Sequence, residues 1–257
     1  MPRPDYGQDA PGVVRNLSLI GLAGLLLGGS TTVGWWSGTF SFTIGSARFI
    51  FPFGYTGIWW GTGFAAMAAW MVYSSRVGKM RERDRLLDRI TWTGRERVLD
   101  VGCGRGLMLI GAAKRLTTGK AIGVDIWQSE DLSGNRPEAT LENATCEGVA
   151  DRVEIKTADM RKLPLESGSI DVVVSMAAIH NLYKKEDRAA AISEIARVLR
   201  PGGHALIDDI RHGDDYARAF EAGGCRVLAR ESAIDRTIWT VITMGSIRPA
   251  VLVVEKQ

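Results

Sequence analysis

Val98-Leu99-Asp100-Val101-Gly102-Cys103-Gly104-Arg105-Gly106 is a short apolar run that stops on an acid and turns through three glycines within five residues. It reads as a buried strand feeding a glycine loop, and Leu107 to Leu116, rich in Ala and Leu and free of Pro, reads as the helix that the loop opens. A strand, a glycine turn and a helix N-terminus together present bare backbone N–H groups to a ligand's polar groups. The dinucleotide fingerprint requires a third small residue where this chain has Leu107, so NAD is disfavoured.

Outward from the loop, apolar strands alternate with helical stretches, the pattern of a parallel sheet covered by helices on both faces. Ala121 to Val124 is a second strand that ends on Asp125, nineteen residues after Gly106. An acid at that place suits the ribose hydroxyls of a nucleoside lying over the switch point of the sheet. A helix follows from about Arg136 to Glu147, then a strand Val153 to Thr157 and the tripeptide Ala158-Asp159-Met160. The apolar strand Ile170 to Met176 is next, then a helix after Lys184 running to Leu199 and broken at Arg200-Pro201-Gly202-Gly203. A fifth strand, Ala205 to Ile207, ends in Asp208-Asp209; Ile234 to Ile247 enlarges the region before a last strand, Ala250 to Glu255.

The form D-x-G-x-G-x-G (Asp100, Gly102, Gly104, Gly106), followed at the proper separation by Arg197-Val198-Leu199-Arg200-Pro201-Gly202-Gly203, resembles the class I S-adenosylmethionine-dependent methyltransferases, nearest in flavour to the ubiquinone/menaquinone C-methyltransferases. The resemblance covers Val98 to the C-terminus. It implies a Rossmann-like α/β domain in which Gly102, Gly104 and Gly106 contact the methionine part of S-adenosyl-L-methionine and Asp125 contacts the ribose, with Ile126 also among the cofactor-binding residues. It further implies that Asp159 takes the adenine amino group, that Met160 packs on the ring, and that Ser175 and Met176 lie along the cofactor. Asp100 either helps hold the cofactor's amino group or braces the loop. An arsenite-type site needs several convergent thiols, and outside the glycine loop only Cys146 and Cys225 remain.

The sulfonium cofactor carries an activated methyl group, so the protein mainly aligns a nucleophile and excludes water. A base is required only for a protonated nucleophile. Candidates lie where the strand carboxyl ends face the crevice: His180 and Asp209 as catalytic groups, with Asn181, Tyr183 and His212 toward the acceptor. His204, before the fifth strand, reads as structural.

Composition narrows the class. With 32 basic and 29 acidic residues in 257, the chain has no basic excess of the kind nucleic acid requires, and three cysteines without C-x-x-C spacing, beside three histidines, indicate neither a disulfide framework nor a metal site. The average conceals a change of character, because Arg48 is the single charged residue between Asn16 and Ser75. Leu17 to Trp36 and Gly54 to Tyr73 each supply the roughly 20 apolar residues of a membrane span. Aromatic residues sit at their ends, and small residues at helix-contact spacing, Gly24 and Gly28 in the first and Gly57 and Gly61 in the second, suit close packing in lipid. The bland reading of the first span is a signal peptide, against which stand the missing A-x-A site and the second span.

Arg3 and Arg15 precede the first span and six basic residues lie between Arg76 and Ile90, which places both termini and the catalytic domain in the cytoplasm. The chain thus divides into a membrane hairpin (1–75), a juxtamembrane linker (76–92) containing a helix from Val77 to Ile90, and a methyltransferase domain (93–257). The segment Ser37 to Phe53 is a short hairpin or a stretch that dips into the interface. The expected protein is a membrane-anchored methyltransferase of an apolar small-molecule acceptor. The alternatives are a soluble acceptor with the hairpin as anchor only, and a catalytically silent cofactor-binding sensor or scaffold.

Overall fold

A computed structural model describes residues 3–128, 132–230, 234, 237, 238 and 248–257. The described residues form two compact units, one of residues 3–6, 80–128 and 134–257, the other of residues 7–79 with 132 and 133. This partition differs from the sequence boundary at 75 and 76, since the first few residues pack with the α/β unit and the hairpin interrupts that unit in sequence. Most of the expected Ile234 to Ile247 enlargement lies outside the described residues.

The larger unit is a seven-stranded sheet built from β3 (Arg97–Val101), β4 (Lys120–Asp125), β5 (Val153–Thr157), β6 (Ile170–Met176), β7 (Leu199–Asp209), β8 (Cys225–Arg230) and β9 (Ala250–Lys256). Their order is β5-β4-β3-β6-β7-β9-β8, with β9 antiparallel to both neighbours and the other pairings parallel. Because side chains alternate across a strand, Leu99 and Val101 enter one apolar cluster and Val98 the other. The first cluster includes α6 (Lys185–Val198) and α7 (Gly213–Ala222); the second includes α3 (Lys79–Leu87), α4 (Leu107–Ala113) and Ala144 of α5 (Pro137–Cys146). Helices therefore cover both faces, and β3, flanked by β4 and β6, delivers Asp100 to the carboxyl edge.

Several boundaries differ from the sequence reading. The linker helix ends at Leu87 and not at Ile90, because Trp92 Nε1 donates to the Leu87 carbonyl at 2.8 Å and turns the chain. Pro201-Gly202-Gly203 does not stand before the fifth strand but forms a bulge inside it, with Leu199 opposite Ile170 and His204 opposite Val172. Helix α7 and strand β8 were not anticipated.

The second unit pairs α1 (Pro11–Thr32) with α2 (Phe53–Tyr73) through a β-hairpin, β1 (Phe40–Ile44) and β2 (Ala47–Phe51). The two helices are antiparallel along a glycine seam. A Cβ at Gly24 would lie 2.7 Å from Gly61 Cα, and one at Gly61 would lie 2.6 Å from the Leu25 nitrogen. The first apolar stretch begins earlier than expected, at Pro11, whose fixed φ suits a helix start. It also ends earlier, at Thr32, since Gly34 takes a left-handed φ of 77°.

Among the described residues, α1 is the one helix long and apolar enough to cross a membrane. Gly, Thr, Tyr and Trp crowd the first half of α2, so of the two expected spans the described residues supply one candidate. The ends of the unit are fastened together. Lys79 Nζ donates to the Gly7 carbonyl at 2.8 Å and pairs with Asp9 at 3.2 Å, while Ser75 Oγ donates to the Asp9 carboxylate at 3.0 Å.

Candidate functional site

The glycine loop leaves β3 in conformations that side chains resist. Gly102 has φ 73°, and a Cβ there would sit 2.4 Å from the Ala178 methyl; Gly106 has φ 86° and would meet the Thr140 methyl at 2.9 Å. The intervening Gly104 N–H donates to Asp125 Oδ2 at 2.8 Å. Asp125 also accepts from the Trp127 N–H at 2.6 Å, so the acid ending β4 is tied to the loop it was expected to face.

Asp100 is 1% exposed. Its Oδ2 accepts from the Leu109 N–H at 2.8 Å and so braces the start of α4, whereas its Oδ1 is buried without a partner among the described residues. Burial pushes this carboxyl up to about 8; the Leu109 bond opposes the rise and the nearby Asp125 charge adds to it. An orphaned buried carboxyl oxygen beside a glycine cradle fits a ligand carrying a cationic amine, as the methionine end of S-adenosylmethionine does.

Met160 borders the cradle, its Cε 3.6 Å from the position of a Gly102 Cβ. Its neighbour Asp159 is engaged elsewhere. It accepts from the Arg161 N–H at 2.8 Å and from the Arg161 guanidinium at 2.6 Å, and that pairing holds its carboxyl below the usual range. Ser175 is buried and donates to the Val101 carbonyl at 2.8 Å, Met176 is half-buried at the end of β6, and Ile126 is exposed.

At the carboxyl ends of β6 and β7, His180 and Asp209 meet. His180 Nδ1 lies 2.5 Å from Asp209 Oδ1, and the buried Asp209 carboxyl also accepts from the His180 N–H at 2.9 Å, the Ile210 N–H at 2.8 Å and the Tyr216 hydroxyl at 3.1 Å. The ring is thereby fixed with Nε2 as the nitrogen not turned toward Asp209. Buried Arg188 holds the same loop by donating to the Leu182 and Tyr183 carbonyls at 2.7 and 2.8 Å. Asn181 closes the short 3₁₀ turn through its N–H to the Ala178 carbonyl, Tyr183 is almost wholly exposed, and His212 precedes α7 with φ 71°. Burial, with Arg188 and Arg211 nearby, lowers the His212 pKa.

Three non-glycine residues with positive φ, Trp127, Ala177 and His212, follow the ends of β4, β6 and β7. Backbone strain of this kind concentrates where a fold shapes a site. Sequence reasoning missed Tyr216, Arg188, and the α5 residues Thr140 and Asn143, whose side chains donate to the Gly104 and Arg105 carbonyls at 2.7 and 2.9 Å. The legible signal was a pair of polar residues three apart on one helix face.

Residues 99–207 match the family described as methyltransferase domain. Methyltransferase GfsG of Streptomyces halstedii is 33% identical over 155 residues, which are 59% of this chain and 52% of that protein. Sterol 4-C-methyltransferase strm-1 of Caenorhabditis elegans is 35% identical over 121 residues, 46% of this chain and 32% of that protein. The chain thus spans about half, or less, of the length of these relatives. A geranyl diphosphate methyltransferase solved with S-adenosylmethionine superposes with a TM-score of 0.55 at 17% identity, covering 69% of this chain and 85% of the other. Sheet order, glycine cradle and the sequence match agree that residues 99–207 resemble a methyltransferase domain of the class I fold.

Proposed function

We propose that this protein uses S-adenosylmethionine to methylate an apolar small molecule at a membrane surface. The observation that carries the transferase reading is that the Asp100 and glycine cradle and the His180–Asp209 dyad stand at the carboxyl ends of the adjacent strands β3, β6 and β7, a Gly102 Cβ falling 2.4 Å from Ala178, two residues before His180. Gly102 and Gly106 would take the methionine end, Asp100 its amine and Asp125 the ribose. Asp159 would reach the adenine only by sharing its carboxylate with Arg161. The cofactor, when bound, supplies a methyl group already activated on sulfonium.

The chain's own work is on the acceptor. Asp209 holds the His180 ring, and His180 Nε2 takes the proton of a hydroxyl or acidic carbon as the new bond to methyl forms. Arg188 and Tyr216 keep the dyad in place. No nucleic-acid partner is proposed, in keeping with the near balance of charge.

The apolar acceptor is argued from the second unit. Helix α1 exposes Leu19, Leu22 and Leu26, and the β-hairpin gathers Phe40, Phe42, Phe49 and Phe51 on one face, with Phe42 stacked on Phe49 at 5.2 Å and on Phe51 at 5.7 Å. Such surfaces suit lipid, with the aromatic face at an interface. Confinement to a membrane raises the local concentration of lipophilic acceptors, and a sterol methyltransferase among the sequence relatives is in keeping with this reading.

The test supplies membranes containing the full chain with radiolabelled S-adenosylmethionine and total cell extract. Label partitioning into organic solvent is expected, and it should be lost in His180→Ala. Label confined to water-soluble products would leave the hairpin an anchor only; absence of any turnover would favour a silent binding domain.

A further inference from the structure

The cofactor loop has a partner that the methyltransferase chemistry does not explain. Residues 3–6 belong to the α/β unit and dock on the segment between Gly104 and Gly106. The Asp5 N–H donates to Asn143 Oδ1 at 2.8 Å, and Asn143 Nδ2 returns a bond of 2.8 Å to the Asp5 carbonyl. The same Nδ2 donates to the Arg105 carbonyl at 2.9 Å, so one buried amide clasps the N-terminal segment and the glycine loop together. Arg105 completes the clasp through its guanidinium, 3.0 Å from the Asp5 carboxylate.

The next residue anchors it. Tyr6 is 6% exposed and belongs to the apolar cluster that contains Leu86, Leu87, Met108 and Ile110, and its hydroxyl donates to Glu147 at 3.1 Å, the acid that also pairs with Lys114. The buried Tyr6 ring supplies most of the hold, whereas the exposed Asp5 charge adds little. Tyr6 and Asn143 therefore carry the clasp, and Asp5 sets its register. From Tyr6 the chain passes through Gly7, φ 73°, directly into the hairpin unit.

We propose that residues 3–6 are a strap that positions the cofactor loop, so that cofactor affinity depends on Tyr6 and Asp5 although neither is a cofactor ligand. The proposal rests on the reading of Gly102 to Gly106 as the cofactor cradle. A loop held open at its glycines must be ordered before it can bind, and the strap does part of that ordering in advance. Coupling of this kind is reciprocal: a bound ligand that orders the loop also tightens the strap. The strap is continuous in sequence with the hairpin, so the apolar unit is flanked on its N-terminal side by a segment that reports on the cofactor site.

The test uses the full chain in detergent or nanodiscs, with S-adenosylhomocysteine as probe. Titration calorimetry should show Kd raised about 5- to 50-fold in Tyr6→Ala, less in Tyr6→Phe, and about 2-fold in Asp5→Ala. Steady-state kinetics should show the KM for S-adenosylmethionine raised in Tyr6→Ala with kcat at saturation unchanged, a split that general destabilisation does not produce. As a control, Val253→Ala, in the same apolar cluster but away from the loop, should lower the thermal midpoint without changing Kd. In the wild type, where no folding defect intervenes, the ligand should slow hydrogen exchange at the Asp5 amide. Unaltered Kd in Tyr6→Ala, or exchange at Asp5 indifferent to ligand, would overturn the strap. A wild-type chain that binds no S-adenosylhomocysteine would overturn the cofactor reading beneath it.

Discussion

Asp100 concentrates the electrostatics of the site in one side chain. Its folded carboxyl titrates near 8, well above the ordinary range, because it is buried, and it is therefore protonated at pH 6. A raised carboxyl contributes stability that is present at low pH and lost as pH rises through about 8. The ligand-free wild type should accordingly lose thermal stability relative to Asp100→Asn between pH 6 and 9. If Asp100 pairs with a cationic amine, binding must release this proton, and the affinity for S-adenosylhomocysteine should climb by up to about tenfold per pH unit from 5.5 to 7.5. Calorimetry in buffers of different ionisation enthalpy measures the released proton directly; a flat profile shared with Asp100→Asn would remove the pairing. Across the crevice, Asp209→Asn keeps the shape but disturbs the ring orientation of His180. The expected loss is about 10²-fold in kcat with cofactor KM unchanged, and an equal loss in both would mean that Asp209 supports the fold alone. Both acids were legible in sequence as strand-end residues. The partner of Asp209 was not, since Tyr216 reaches it from α7, a helix whose facing positions only the fold discloses.

At the scale of elements, the seam between α1 and α2 makes the sharpest demand. Gly21, Gly24 and Gly28 meet Gly54, Gly57, Gly61 and Ala65, and even one methyl at Gly28 would fall 2.3 Å from Ile58. Gly61→Leu should force the helices apart, costing about 1–3 kcal/mol or more. The measurement is the yield of disulfide between cysteines placed at positions 21 and 65 in a variant lacking Cys103, Cys146 and Cys225; unchanged yield would show that the seam tolerates bulk. The seam was readable because small residues recur every fourth position. Strands β3, β4 and β6 were readable because a buried parallel sheet writes nearly continuous apolar runs. What escaped was β8, whose exposed-buried alternation with Arg226 and Arg230 resembles a solvated loop, and the bulge in β7, where Pro-Gly-Gly reads locally as a stop although a Cβ at Gly203 would fall 2.9 Å from the Arg200 and Asp171 carbonyl oxygens.

For the whole molecule, the placement of charge around an uncharged tract makes the last prediction. Between Asn16 and Ser75 the chain offers Arg48 alone, and that guanidinium donates to Ser41 on the hairpin face opposite the phenylalanines. Burying α1 in a bilayer would leave the backbone groups of its interior turns satisfied within the helix, and α2, too rich in Gly and Trp to cross unaided, would enter lipid packed on its partner. The basic residues on the flanks, Arg3 and Arg15 before the tract and Arg76 to Arg89 after it, then belong on the cytoplasmic side with the methyltransferase unit. Carbonate washing should leave the full chain in the membrane pellet. A cysteine at Ser46, in the turn of the β-hairpin, should react with an impermeant thiol reagent in intact cells, and one at Arg81 should react only after lysis. Labelling at both sites from outside would reverse the orientation, and release by carbonate would reduce the hairpin to a peripheral apolar surface, which its exposed leucines and phenylalanines would then need a protein partner to cover.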